Sequence, residues 1–127
     1  MRTVLVIDDD PSFLAETEKM LVNAGYRVLQ APDGTRAARV LEQMRGDIDL
    51  AIVDLSLPGI NGFELIGALS RRPNSVKVIA TTGVYQTLQL ESATALGAHA
   101  AIRKPPTADA LPRQQWLDTI ERLIGNP

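Results

Sequence analysis

The chain has 127 residues, of which 45% are hydrophobic and 22% charged, a composition that buries one globular core and is too short for two ordinary domains. Its 13 basic and 15 acidic side chains leave a formal charge of −2, so no global field attracts a polyanion and direct nucleic-acid binding is not expected. Cysteine is absent, which excludes disulfides, thiol nucleophiles and thiolate metal sites. The apolar run at 4–7 ends in Asp8, Asp9 and Asp10, too short for a signal peptide or a membrane span, so a cytoplasmic location with no membrane partner is expected.

Five short β-branched runs, at 3–7, 27–31, 50–53, 76–81 and 100–102, alternate with amphipathic stretches. The first, third and fourth are almost continuously apolar, as expected of strands buried on both faces of a parallel sheet. After the first strand, Asp10 is placed to cap a helix with Pro11 in its first turn. Phe13, Leu14, Met20, Leu21 and Ala24 form one face of that helix, and Gly25 ends it. The second helix carries Ala37, Val40, Leu41 and Met44, and the third carries Leu65, Ile66 and Leu69 behind the turn residues Gly59, Asn61 and Gly62. A weaker fourth, at 86–96, offers Leu88, Ala93 and Leu96 as its inner face. The last presents Trp116, Leu117, Ile120, Leu123 and Ile124 at spacings of three and four and is expected to start near Pro112, read as a first-turn proline.

Five βα units in a chain this short predict an open doubly wound α/β sheet, because right-handed crossovers between parallel strands have few other compact solutions. Ligands bind such sheets at the carboxyl ends of the strands, which directs attention to Asp8, Asp54, Thr81 or Thr82, and Arg103 or Lys104. If the first and third strands are neighbours, the carboxylates after them converge. Like charges that close raise one another's pKa, and a hard divalent cation such as magnesium, which prefers oxygen ligands, would keep them ionised. Lys104 brings a mobile ammonium and Thr82, beside Gly83, a hydroxyl, both suited to an anion seated on a carboxylate. The set fits phosphoryl transfer, which asks mainly for positioning and charge neutralisation.

These residues resemble the receiver domains of two-component response regulators. The resemblance runs from Asp8 and Asp9, through Asp54 with Leu57, Pro58, Asn61 and Gly62 behind it, to Thr82 and the Lys104–Pro105 pair. It implies a flavodoxin-like fold with five helices and strand order 2-1-3-4-5, and one receiver domain over 1–127. It implies Asp54 as the acceptor of a phosphoryl group from a sensor histidine kinase or phosphotransfer protein. Magnesium would be held by Asp8, Asp9, Asp54 and the backbone carbonyl of Ser56, with Thr82 as switch hydroxyl and Lys104 as the cation bonding the acyl phosphate. Thr81 is the competing switch; the small Gly83 after Thr82 favours the latter. The Lys104–Pro105 bond is typically cis in this family. The resemblance further implies a phosphoprotein that catalyses only its own phosphorylation and dephosphorylation. A downstream protein or output domain would read the face of the fourth and fifth helices, and a phosphorylation-dependent dimer fits the same pattern.

Two departures stand out. Ala101 occupies the place, three residues before the lysine, where the family usually carries a tyrosine or phenylalanine, and Pro106 follows Pro105 where an aromatic residue is usual. The first keeps a second reading open, a degenerate receiver serving as a phosphorylation-independent scaffold. A nucleotide-binding module is disfavoured because no glycine-rich fingerprint follows the acidic first strand end. A haloacid-dehalogenase-type phosphatase is disfavoured because the run from Asp8 to Ser12 lacks the required threonine.

Overall fold

The computed structural model describes residues 1–44, 46–57, 62–71, 76–83 and 87–127, with 87–91 described by their backbone alone. Five strands, β1 (Thr3–Ile7), β2 (Arg27–Ala31), β3 (Leu50–Asp54), β4 (Lys77–Thr82) and β5 (Ala100–Arg103), pair in parallel in the order β2-β1-β3-β4-β5. The helices are α1 (Pro11–Asn23), α2 (Gly34–Gln43), α3 (Gly62–Ser70), α4 (Thr87–Leu96) and α5 (Arg113–Ile124). Successive strand residues point to opposite faces, so each buried strand feeds two cores. Val4, Val6, Leu50, Ile52 and Ile79 pack with Phe13, Leu21, Trp116 and Ile120 of α1 and α5. Leu5, Ile7, Ala51, Val53 and Val78 pack with residues of α2, α3 and α4, among them Leu41, Ile66 and Ala93. The β2 edge is different: only Ala31 is buried, and exposed Arg27 and Gln30 keep that edge hydrated.

The expected elements are present, with shifts that have local causes. β3 and β5 each run one residue further than the apolar pattern and β4 is shifted by one, starting at Lys77 and not Val76 and ending at Thr82, because Leu55 N–H donates to the Thr81 carbonyl and Lys104 N–H to the Thr82 carbonyl, continuing the ladder. Asp54 therefore closes β3 from within the strand. Asp10 caps α1 with its side chain, accepting from the amides of Ser12 and Phe13. At the other end Ala24 is the C-cap and Gly25 follows at φ 100°, while the Tyr26 amide donates to the Leu21 carbonyl, a Schellman turn that glycine favours.

Pro112 proves to be the N-cap of α5 and not its first-turn residue, and its carbonyl accepts from the Trp116 amide. A short 3-10 turn at Ala108–Ala110, absent from the sequence reading, precedes it. Leu96 is 49% exposed, contrary to its expected inward place. The chain turns at Gly97, φ 124°, and Ala93 and Ala98 fill the interior there. The expected cis bond is also corrected: no cis peptide occurs among the described residues, so Lys104–Pro105 is trans, the isomer X–Pro bonds ordinarily favour. Pro58, Gly59, Asn61 and Gln86 lie outside the described residues, as does the side chain of Leu88.

Candidate functional site

The register of the sheet brings the strand ends together. Ile7 is opposite Val53 and Asp54 opposite Thr81, so Asp8, just past β1, lies beside the end of β3. One carboxylate oxygen from each of Asp8, Asp9 and Asp54 falls within 4.8 Å of the others. Asp8 and Asp54 are buried and Asp9 is exposed, which gives the cluster one open side.

Each buried carboxylate has a definite set of partners. The Asp10 amide donates to Asp8 Oδ1 at 2.9 Å, and the Ser56 amide donates to Asp54 Oδ1 at 2.9 Å. Lys104 Nζ lies 3.0 Å from Asp8 Oδ1, 2.9 Å from Asp8 Oδ2 and 3.9 Å from Asp54 Oδ2. Lys104 thus pairs with Asp8 and stands off from Asp54, leaving the second oxygen of Asp54 without a short contact to it.

Burial pushes the Asp8 carboxyl up to about 6, outweighing the lowering by Lys104 and the Asp10 amide, and the neighbouring charge of Asp54 adds to the rise. Burial likewise raises Asp54, against the Ser56 amide and Lys104, with Asp9 and Asp10 raising it further. Three carboxylates facing one ammonium leave the cluster short of positive charge. An all-oxygen donor set with an open side fits a hard divalent cation that keeps some of its waters.

Thr81 and Thr82 sit side by side at the end of β4. Both are fully buried. The Thr81 hydroxyl donates to the Val53 carbonyl at 3.5 Å, within the sheet. Thr82, the last residue of β4, accepts the Lys104 amide on its carbonyl, which ties the ends of β4 and β5 together. Ala101 is half-buried and packs against the core on the α2–α4 side of the sheet.

Two residues near the site were read in the sequence only as structural. Phe13 was assigned to an apolar helix face, yet Lys104 Nζ sits over its ring, 4.7 Å from the centroid. The available signal was its place in the first turn of α1, where a long side chain points back toward the helix start and hence toward the strand ends. Gly62 was read as a turn residue. A Cβ there would lie 2.5 Å from the Asp54 carbonyl oxygen and 2.8 Å from Leu55 Cα, so this glycine lets α3 start against the end of β3.

A parallel sheet in this order, with acids after β1 and at the end of β3 and a lysine after β5, defines a receiver-like α/β domain. The family model described as the response regulator receiver domain matches residues 4–114, and the chain belongs to that family. The transcriptional regulatory protein YrkP of Bacillus subtilis is 32% identical over 108 residues, covering 85% of this chain and 45% of that protein. A response regulator receiver domain protein from Methanospirillum hungatei superposes with a TM-score of 0.81 at 28% identity, over 96% of this chain and 92% of that one. The response regulator TrrA of Thermotoga maritima, solved in complex with Mg2+ and BeF, has the same fold, with a TM-score of 0.81, 24% identity and coverage of 97% and 99%. The chain spans less than half the length of the curated relatives it matches first. No helix among the described residues is long and apolar enough to cross a membrane.

Proposed function

We propose that residues 1–127 form one phosphoacceptor receiver domain, in which Asp54 takes a phosphoryl group from a phosphohistidine of a sensor histidine kinase or phosphotransfer protein. The observation that carries the reading is the convergence of Asp8, Asp9 and Asp54 within 4.8 Å with Lys104 beside them, at the strand ends where α/β sheets bind ligands. Asp54 Oδ2 is the attacking oxygen, since Oδ1 already accepts from the Ser56 amide. As the new P–O bond forms, the P–N bond to the imidazole breaks; the leaving nitrogen keeps that electron pair and takes up a proton.

Asp8, Asp9, Asp54 and the Ser56 carbonyl would hold magnesium, which when bound supplies positive charge to the carboxylates and to the phosphoryl oxygens. The Mg2+ and BeF bound by the Thermotoga relative support this assignment. Lys104 neutralises the acyl phosphate and Thr82, the last residue of β4, donates its hydroxyl. Phosphorylation adds charge and acceptor oxygens beside these two residues at the ends of β4 and β5, so a partner protein or output domain reads the α4–α5 face. The activity is confined to the domain's own phosphorylation and dephosphorylation, in the cytoplasm.

The test is incubation with acetyl phosphate and magnesium, followed by intact mass. One phosphoryl group is expected, and neither Asp54→Asn nor chelation of magnesium leaves it; a mass gain that persists in Asp54→Asn refutes the assignment. Ala101, which offers no ring to rotate on β5, gives the scaffold reading its specific support. That reading requires a partner to bind wild type, phosphorylated or not, and Asp54→Asn alike.

A further inference from the structure

The Lys104 ammonium has two kinds of neighbour. It faces Asp8 at 3.0 and 2.9 Å and Asp54 at 3.9 Å, and it also lies over the Phe13 ring, 4.7 Å from the centroid. Phe13 is 2% exposed and fixed from two directions. Its amide donates to the Asp10 cap at 3.4 Å, and its ring meets fully buried Trp116 of α5 edge-on, with centroids 5.9 Å apart and planes at 62°.

We propose that Phe13 is a positioning residue for Lys104, its ring face keeping the ammonium at the strand ends when Asp8 gives its oxygens to a metal ion. The inference rests on the roles proposed above for Asp54 and Lys104. Two cations need Asp8: Lys104 contacts both of its oxygens, and a divalent ion requires at least one. When the ion takes it, Lys104 loses its closest partner. A carboxylate in the place of Phe13 would recapture the lysine, occupy its N–H donors and repel an incoming phosphoryl group. An aliphatic side chain would exert no pull on it. The negative face of an aromatic ring attracts the ammonium without a carboxylate's strong directional acceptors, so its N–H donors can turn to phosphoryl oxygens. Trp116 stands behind that ring, so α5 shares in setting where the ammonium sits.

Two replacements separate this role from packing: Phe13→Leu, which removes the ring, and a polyfluorinated phenylalanine at position 13, which keeps the shape and withdraws electron density from the face. Both are expected to lower kcat/KM for acetyl phosphate by roughly three- to tenfold, chiefly through KM, with magnesium affinity within about twofold of wild type. Independently of activity, NMR of the wild type is expected to show the Lys104 ε-methylene protons shifted upfield by the ring, with magnesium and beryllofluoride bound. Absence of that shift in the wild type overturns the proposal without any variant, as does wild-type kcat/KM in the fluorinated protein. Lys104→Ala phosphorylating like wild type, or Asp54→Asn still gaining mass, would instead place the failure in the functional reading itself.

Discussion

Asp8→Asn should make this protein more stable at neutral pH while weakening its hold on magnesium. Asp8 is fully buried and its carboxyl is raised from 3.8 to about 6, so in the absence of a divalent ion the folded chain binds a proton there more tightly than the unfolded chain does. Ionised Asp8 therefore costs about 3 kcal/mol above pH ~6, where both states are deprotonated at this group. The cost fades as pH falls from about 6 toward 3.8 and is absent below that, because both states are then protonated.

Asparagine at position 8 removes this cost and keeps an amide oxygen able to accept from the Asp10 amide and from Lys104. It also deprives Lys104 of a charged partner, though Asp54 at 3.9 Å and the Phe13 ring remain. A net gain of about 1–3 kcal/mol is expected near pH 7.5, falling to about 1 kcal/mol or less near pH 4.5. Urea denaturation in chelator, read by the fluorescence of Trp116, the one tryptophan in the chain, measures both values. The difference between the two proteins at each pH isolates this carboxyl from every other titrating group. Adding magnesium near pH 7.5 should stabilise the wild type more than the variant. An Asp8→Asn protein less stable than wild type near neutrality, or a gain independent of pH, refutes the reasoning.

Gly62→Ala puts a Cβ 2.5 Å from the Asp54 carbonyl oxygen, and since backbone cannot swing aside the expected loss is about 1–3 kcal/mol or more by urea denaturation, with slower phosphorylation. Trp116→Ala should cost about 3–5 kcal/mol, because this fully buried side chain joins α5 to Phe13 and the sheet; a loss under about 1 kcal/mol would show that α5 packs without it. Binding of beryllofluoride with magnesium should shift backbone NMR signals from Gly83 through residue 90 and leave β5 nearly still, since Ala101 offers no ring to move. Shifts centred on β5, or an unchanged response in Thr82→Ala, would refute that account.

The strands were legible in the chain because a strand buried on both faces must be apolar at nearly every position, and the runs around Leu5, Ile52 and Ile79 are. Helix starts were legible where one residue type does a local job, as Asp10 does for the amides of Ser12 and Phe13. The candidate acids and Lys104 could be picked out because parallel sheets present ligands at strand ends; the order of the strands came from the family resemblance, since local pattern carries no record of which strand lies beside which. Tertiary structure alone decided the pairings. That Lys104 contacts Asp8 at 2.9 Å and stays 3.9 Å from Asp54 depends on registers across β1, β3, β4 and β5 at once. Phe13 under the ammonium, Gly62 against the end of β3 and Leu96 turned outward likewise follow from where one element meets another. Periodicity tells a side chain which face of its own element it occupies, but the atoms across that face belong to residues tens of positions away, and only packing brings them into range.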